Sequence, residues 1–151
     1  MMTSLAALAK NPSGGSITQE TIALNKSASD KRVLRVLLVE DNHLDQKIAS
    51  TMLRMLGHDV DTVENGVEAV LAAGRVAYDL LIIDVQMPEM DGIQAVRCIR
   101  SFFGSAPKVI FATGSTPSIY RDLCLGAGGN EFICKPLMIN ELNAAIERAM
   151  W

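Results

Sequence analysis

Glu40-Asp41, Asp84, Thr113 and Lys135 each stand where a short apolar run ends, and together they carry the functional groups that phosphoryl chemistry requires. The runs are Val36-Leu37-Leu38-Val39, Leu80-Leu81-Ile82-Ile83, Val109-Ile110-Phe111-Ala112 and Phe132-Ile133-Cys134. Adjacent acids facing a third carboxylate suit a hard divalent cation such as Mg²⁺, which takes oxygen ligands and keeps part of its water shell. The other reading of Glu40 and Asp41 is a solvated loop acid or a helix N-cap. Asp84 is central. A carboxylate is a weak nucleophile, yet it can accept a phosphoryl group once a cation offsets the converging negative charge. Thr113, followed by Gly114-Ser115, can bring a hydroxyl to a phosphoryl oxygen. Lys135 is read as the cation at the end of a central strand, and its ammonium must pair with Asp84 or with the phosphate.

These groups meet only if the apolar runs lie side by side. Runs of this length, separated by helix-length segments, predict strands of a parallel sheet buried on both faces. The carboxyl edge of such a sheet is where its ligands bind, near the point at which strand order reverses. Between the runs, Ile48, Met52, Met55 and Leu56 predict a helical stripe that ends at Gly57. His58 to Glu64 predicts a shorter, more polar edge strand. Asn65-Gly66 opens a helix carrying Val67, Val70 and Leu71; a third helix carries Ile93, Val96 and Ile99. Thr116 is placed as the cap of a fourth helix with Pro117 at its first position, broken by Gly126 to Gly129. Leu137 to Trp151 closes the chain with Leu142, Ile146 and Met150 on one face. Five β-α units joined by right-handed crossovers give an α/β, three-layer, doubly wound fold.

Residues 1–32 read differently. Asn11-Pro12-Ser13-Gly14-Gly15-Ser16 and Ser27-Ala28-Ser29-Asp30-Lys31 are turn and linker chemistry, so this stretch is expected to be a flexible tail or linker. A short helix over Thr3 to Lys10 would not hold itself together alone. The domain is expected over 33–151. With 151 residues, 49% of them hydrophobic and 21% charged, the chain can bury one real core. A net charge of −3 argues against an electrostatic grip on nucleic acid or anionic membrane. No apolar stretch approaches the ~18 residues of a membrane span, and the first residues are too weakly apolar for a secretory signal, so a cytoplasmic location is expected. Cys98, Cys124 and Cys134 lack metal or disulfide spacing and are expected to be buried, reduced thiols.

The loop Val85-Gln86-Met87-Pro88-Glu89-Met90-Asp91-Gly92 follows Asp84. Its backbone can offer a carbonyl ligand from Gln86. Pro88 and Gly92 are turn and backbone-shape residues, and Asp91 is a solvent-facing cap. Pro136 admits a cis Lys-Pro bond that would aim the ammonium inward, although trans is the commoner form. An aspartyl-phosphate phosphohydrolase also uses a strand-end Asp with Mg²⁺, but it carries a second acid two residues on, where this chain has Gln86. A flavodoxin-like cofactor binder would need a Gly-rich phosphate loop after the first strand, and none is present. A degenerate docking module would not need the full set of acids, Thr and Lys.

Taken together, Leu-Leu-Val-Glu-Asp-Asn at 37–42, Asp-Val-Gln-Met-Pro-Glu-Met-Asp-Gly at 84–92, Ala-Thr-Gly at 112–114 and Lys-Pro at 135–136 resemble the receiver domain of two-component response regulators. The likeness runs over 33–151 and is greatest to receivers of hybrid sensor histidine kinases and their phosphorelay relatives. It implies a flavodoxin-like sheet of strand order 2-1-3-4-5 and a signalling switch in place of a turnover enzyme. In that scheme Asp84 is the phosphoacceptor, and Glu40, Asp41, Asp84 and the Gln86 carbonyl hold Mg²⁺. Thr113 is the switch hydroxyl and Lys135 the phosphate contact. The family's switch aromatic falls on Phe132, where a Tyr is commoner, so no phenol is available there. Gly114 stands where Ala is more usual. Implied partners are a sensor histidine kinase or a histidine phosphotransfer protein, and a downstream protein on the face of helix 4, strand 5 and helix 5. A homodimer on phosphorylation is compatible with this reading, and the sequence does not determine it. No output domain is read after Trp151, so the target is expected to be another protein or a missing part of a longer chain.

Overall fold

Alternation along each central strand divides the core into two layers. In the computed structural model, which describes residues 32–114 and 118–151, the odd-numbered residues Leu37, Val39, Leu81, Ile83, Val109 and Phe111 pack into one buried cluster. The even-numbered Val36, Leu38, Leu80, Ile82, Ile110 and Ala112 pack into a second. Successive side chains of a strand point to opposite faces, so a run that is apolar at every position must be covered on both sides. The strands are β1 (Arg35–Val39), β2 (Asp59–Val63), β3 (Leu80–Asp84), β4 (Lys108–Thr113) and β5 (Glu131–Cys134). All pair in parallel, in the order β2-β1-β3-β4-β5. The helices are α1 (His43–Met55), α2 (Gly66–Arg75), α3 (Gly92–Phe103), α4 (Ser118–Gly126) and α5 (Ile139–Met150). Residues from α2, α3 and α4 join the first cluster and residues from α1 and α5 the second, which makes a three-layer, doubly wound, flavodoxin-like domain.

Side chains set where the helices begin. Asn42, Asn65 and Asp91 accept hydrogen bonds from the backbone N–H groups of Asp45, Glu68 and Gln94, capping α1, α2 and α3. Gly57, at φ +92°, follows the end of α1, a backbone conformation that costs glycine little.

Several expectations change. The buried face of α1 is Ala49, Ser50 and Leu53, with Met52 and Leu56 partly covered, whereas Ile48 and Met55 are exposed. The predicted stripe is therefore rotated by about one residue, because the buried face includes Ala49, a small residue that carries little hydropathy signal. On α2 only Val70 of the three named apolar residues is packed inward, and Val67 and Leu71 are exposed. Lys135 follows β5, which is an edge strand and not a central one, and only Ile133 of that strand is fully buried. Of the cysteines, Cys124 is buried while Cys98 and Cys134 are partly exposed; none is in a disulfide. The Thr3–Lys10 helix, the tail up to Lys31, and the Thr116 cap with Pro117 lie outside the described residues. Among the described residues, no helix is long and apolar enough to cross a membrane.

Candidate functional site

Chain order reverses direction across the sheet between β1 and β3, and there the ends of the two strands open a crevice. Val39 pairs with Ile83, so Glu40-Asp41 leave the sheet beside Asp84. The Glu40 N–H donates to the Val63 carbonyl at 3.1 Å, and Gln46 Nε2 donates to the Glu40 carbonyl at 3.2 Å, which fixes the turn into α1. One carboxylate oxygen from each of Glu40, Asp41 and Asp84 lies within 4.8 Å of the others, and among the described residues these three form the cluster that can hold a metal ion. Glu40 and Asp84 are buried, and Asp41 is exposed. An all-oxygen set with one wet flank is the donor chemistry of Mg²⁺, so the residues present fit that cation.

Lys135 reaches in from the next-door strands. Its backbone N–H donates to the Thr113 carbonyl at 2.7 Å, which seats the end of β5 against the end of β4. The ammonium donates to Asp84 Oδ2 at 3.0 Å and, in a very short contact, to Glu40 Oε1. A third carboxylate, Asp45 Oδ2, lies 3.5 Å from the same nitrogen. The Lys135–Pro136 peptide is cis. Thr113 is buried at the end of β4, and Phe132, in register with Phe111, is half-buried against the first core cluster.

Burial dominates the electrostatics of this group. Desolvation pushes the Glu40 carboxyl well above the usual carboxylate range, against the hydrogen bonds from Lys135 and the Asn42 amide and with some help from the Asp84 charge. For Lys135 the largest single influence is also desolvation, which favours the neutral amine. The hydrogen bonds and charges of Glu40 and Asp84 together outweigh it and hold the ammonium more firmly charged than in water. One cation thus sits among acids that it does not fully neutralise.

The loop after Asp84 is shaped by a close backbone approach. A Cβ on Gly92 would lie 2.2 Å from the Asp84 carbonyl oxygen, so only glycine lets α3 begin this near to β3. The Gly92 N–H donates to the Val85 carbonyl at 2.9 Å, and the Gln86 N–H donates to Asp84 Oδ1 at 3.2 Å. Asp41, Gln86, Met87, Pro88, Asp91 and Tyr120 line an open cleft of about 400 Å³ beside the acids. Asp91 caps α3 and is half-buried in this cleft, where a solvent-facing cap had been expected. Gly114 is exposed, and a Cβ there would meet nothing within 4 Å.

Asp45 and Tyr120 are the residues that reading strand ends overlooks. Asp45 lies four positions beyond Asp41, in the first turn of the helix that follows the acidic pair, and that position was the available signal. Tyr120 comes from α4 and arrives only through the tertiary fold.

Residues 36–147 match the family described as the response regulator receiver domain. A probable histidine kinase of Oryza sativa subsp. indica is 30% identical over 156 residues, covering 82% of this chain and 16% of the kinase. Hybrid signal transduction histidine kinase B of Dictyostelium discoideum is 37% identical over 124 residues, or 74% of this chain and 6% of that protein. The chain therefore spans only a small part of the kinases it matches. Among solved structures, the receiver domain of a Pseudomonas aeruginosa sensor histidine kinase superposes with a TM-score of 0.72 at 36% identity. It covers 79% of this chain and 98% of that one, and it was solved with a magnesium ion coordinated in its active-site cleft.

Proposed function

The chain belongs to the response regulator receiver domain family, and from that premise we propose that it is a Mg²⁺-dependent phosphoacceptor whose nucleophile is Asp84. The observation that supports this most is the placement of the Lys135 ammonium on Asp84 and Glu40, with Asp41 beside them, at the break in strand order. We assign the receiver domain to residues 33–151 and leave residues 1–32 outside it.

In this reading a carboxylate oxygen of Asp84 attacks the phosphorus of a phosphohistidine. The new P–O bond forms as the P–N bond breaks; the electron pair leaves with the imidazole nitrogen, which takes its proton from solvent. The position two residues after the nucleophile, where a general acid would stand, is Gln86. Glu40, Asp41, Asp84 and the Gln86 carbonyl hold the cation, which supplies charge neutralisation at the phosphoryl oxygens. Lys135 gives a charge-assisted contact to one of those oxygens. Thr113 donates its hydroxyl to another, and Phe132 fills the space that this movement vacates. Pro88, Gly92, Gly114 and Pro136 shape the surrounding loops and take no chemical part.

The donor is a sensor histidine kinase or a histidine phosphotransfer protein, and the output is partner binding on the face of α4, β5 and α5. Incubation with acetyl phosphate or a phosphorylated transfer protein should give an acid-labile phosphoprotein in Mg²⁺. EDTA and the Asp84→Ala substitution should each abolish it. Undiminished labelling of Asp84→Ala would overturn the assignment.

A further inference from the structure

We infer that Asp45 is a positioning residue for Lys135, a third anchor on α1 that draws the ammonium away from the phosphoryl group and so weakens the phosphorylated state. The inference rests on the proposed function, since it concerns the cation that would contact the phosphoryl oxygens. Lys135 Nζ donates to Glu40 and Asp84, both almost wholly buried, and Asp45 Oδ2 lies 3.5 Å away on the solvent side. The side chain of Asp45 is 45% exposed, against 6% for Glu40 and 10% for Asp84. Asp45 and Lys135 also line one groove together with Ile48, Ala49, Pro136 and Leu137, so α1 meets the β5–α5 loop where the two charges pair.

The consequence follows from charge. A phosphoryl group on Asp84 replaces its single carboxylate charge with about two on the phosphoryl oxygens, beside the acids Glu40 and Asp41 and one ammonium. The ammonium has three N–H donors, and every carboxylate that holds it competes with the phosphoryl oxygens. Glu40 and Asp84 are fixed by the strand ends. Asp45 is different: it is half-exposed, stands in the first turn of α1, and is not part of the metal cluster. Its pull on Lys135 therefore opposes the anion without contributing to cation binding. Asp45 also stands in the first turn of α1, where an acid favours the helix. A purely helical role would leave anion affinity untouched when the acid is lost.

The test is titration of the full chain with beryllofluoride in saturating Mg²⁺, followed by fluorescence or NMR. Asp45→Asn and Asp45→Ala should bind beryllofluoride about three- to fivefold more tightly than wild type, the size of one half-exposed ion pair. Asp45→Glu should stay near wild type. Glu64→Gln is the control for charge alone: Glu64 is 55% exposed at the same sheet edge and pairs with His43. It should change affinity less than twofold. Unchanged affinity in Asp45→Asn overturns the inference, as does an equal gain in Glu64→Gln, and in both cases the phosphoacceptor reading stands. Failure of wild type to bind beryllofluoride at all overturns that reading and the inference with it.

Discussion

Lys135 competes with any divalent cation for the same acids. Its ammonium occupies Glu40 and Asp84, two of the three carboxylates in the metal cluster. Lys135→Met should therefore bind Mg²⁺ more tightly, by about three- to tenfold, because no resident cation has to be displaced. Without Mg²⁺ the same variant should lose on the order of 2–4 kcal/mol of stability, as two buried acids lose the ammonium that pairs with them and keep only backbone amide donors. Mg²⁺ should restore most of that loss by binding the folded state. Asp41→Ala should move affinity the other way, weakening Mg²⁺ by about tenfold or more. Calorimetric titration of the two variants checks both directions, and equal affinity in wild type and Asp41→Ala would misplace the site. Strand ends alone make Glu40, Asp41, Asp84, Thr113 and Lys135 legible, since each follows an apolar run. Asp45 was not legible in that way, because its contact with Lys135 joins residues 90 apart in the chain through the end of β5.

The elements around the site divide into positions that tolerate a side chain and positions that do not. Gly92 abuts the Asp84 backbone, so Gly92→Ala must push α3 from β3 and should cost at least about 3 kcal/mol, with loss of phosphorylation. Gly114 has open space around its missing Cβ and no positive φ, so Gly114→Ala should be neutral or stabilise by up to about 1 kcal/mol. On α1, Leu53→Ala should cost about 2–4 kcal/mol, because Leu53 is fully buried in the second core cluster. Met55→Ala, at a position 72% exposed, should change stability by less than about 0.5 kcal/mol. Urea denaturation of the four variants separates these outcomes. The α1 comparison also shows where hydropathy misleads: Met55 is the larger apolar side chain, yet it is exposed and Ala49 is buried. The edge position of β5 was similarly hidden, since Phe132-Ile133-Cys134 looks as apolar as a central strand. Its neighbours Glu131 and Lys135 were the polar signal.

The proposed switch runs from the crevice to the face of α4, β5 and α5 through β4 and β5. Thr113 ends one strand, Phe132 lies on the next, and the register that pairs Phe111 with Phe132 and Thr113 with Cys134 links them rigidly. Two states need differ by only a few kcal/mol for one charge-assisted contact to shift the balance. Beryllofluoride should therefore shift the amide resonances of residues 118–126 and 131–138 in wild type. Thr113→Ala should bind it and leave those resonances in place. An unshifted wild-type spectrum would refute the switch while leaving phosphorylation itself intact. The two core layers were legible because every central strand is apolar at consecutive positions, whereas the strand order followed only from the family resemblance. The identity of kinase and target was not legible, since exposed apolar side chains such as Leu123, Leu125 and Met138 carry no chemical signature of a particular partner.

The proposed switch depends on Asp84 being the residue that accepts the phosphoryl group. Borohydride reduces an aspartyl phosphate to homoserine, leaving a permanent mark at the acceptor. After phosphorylation in Mg²⁺, peptide mapping of reduced wild-type protein should place homoserine at position 84, and Asp84→Asn should yield none. Homoserine at position 41, or a phosphate that survives acid on a serine or threonine, would contradict the assignment of Asp84.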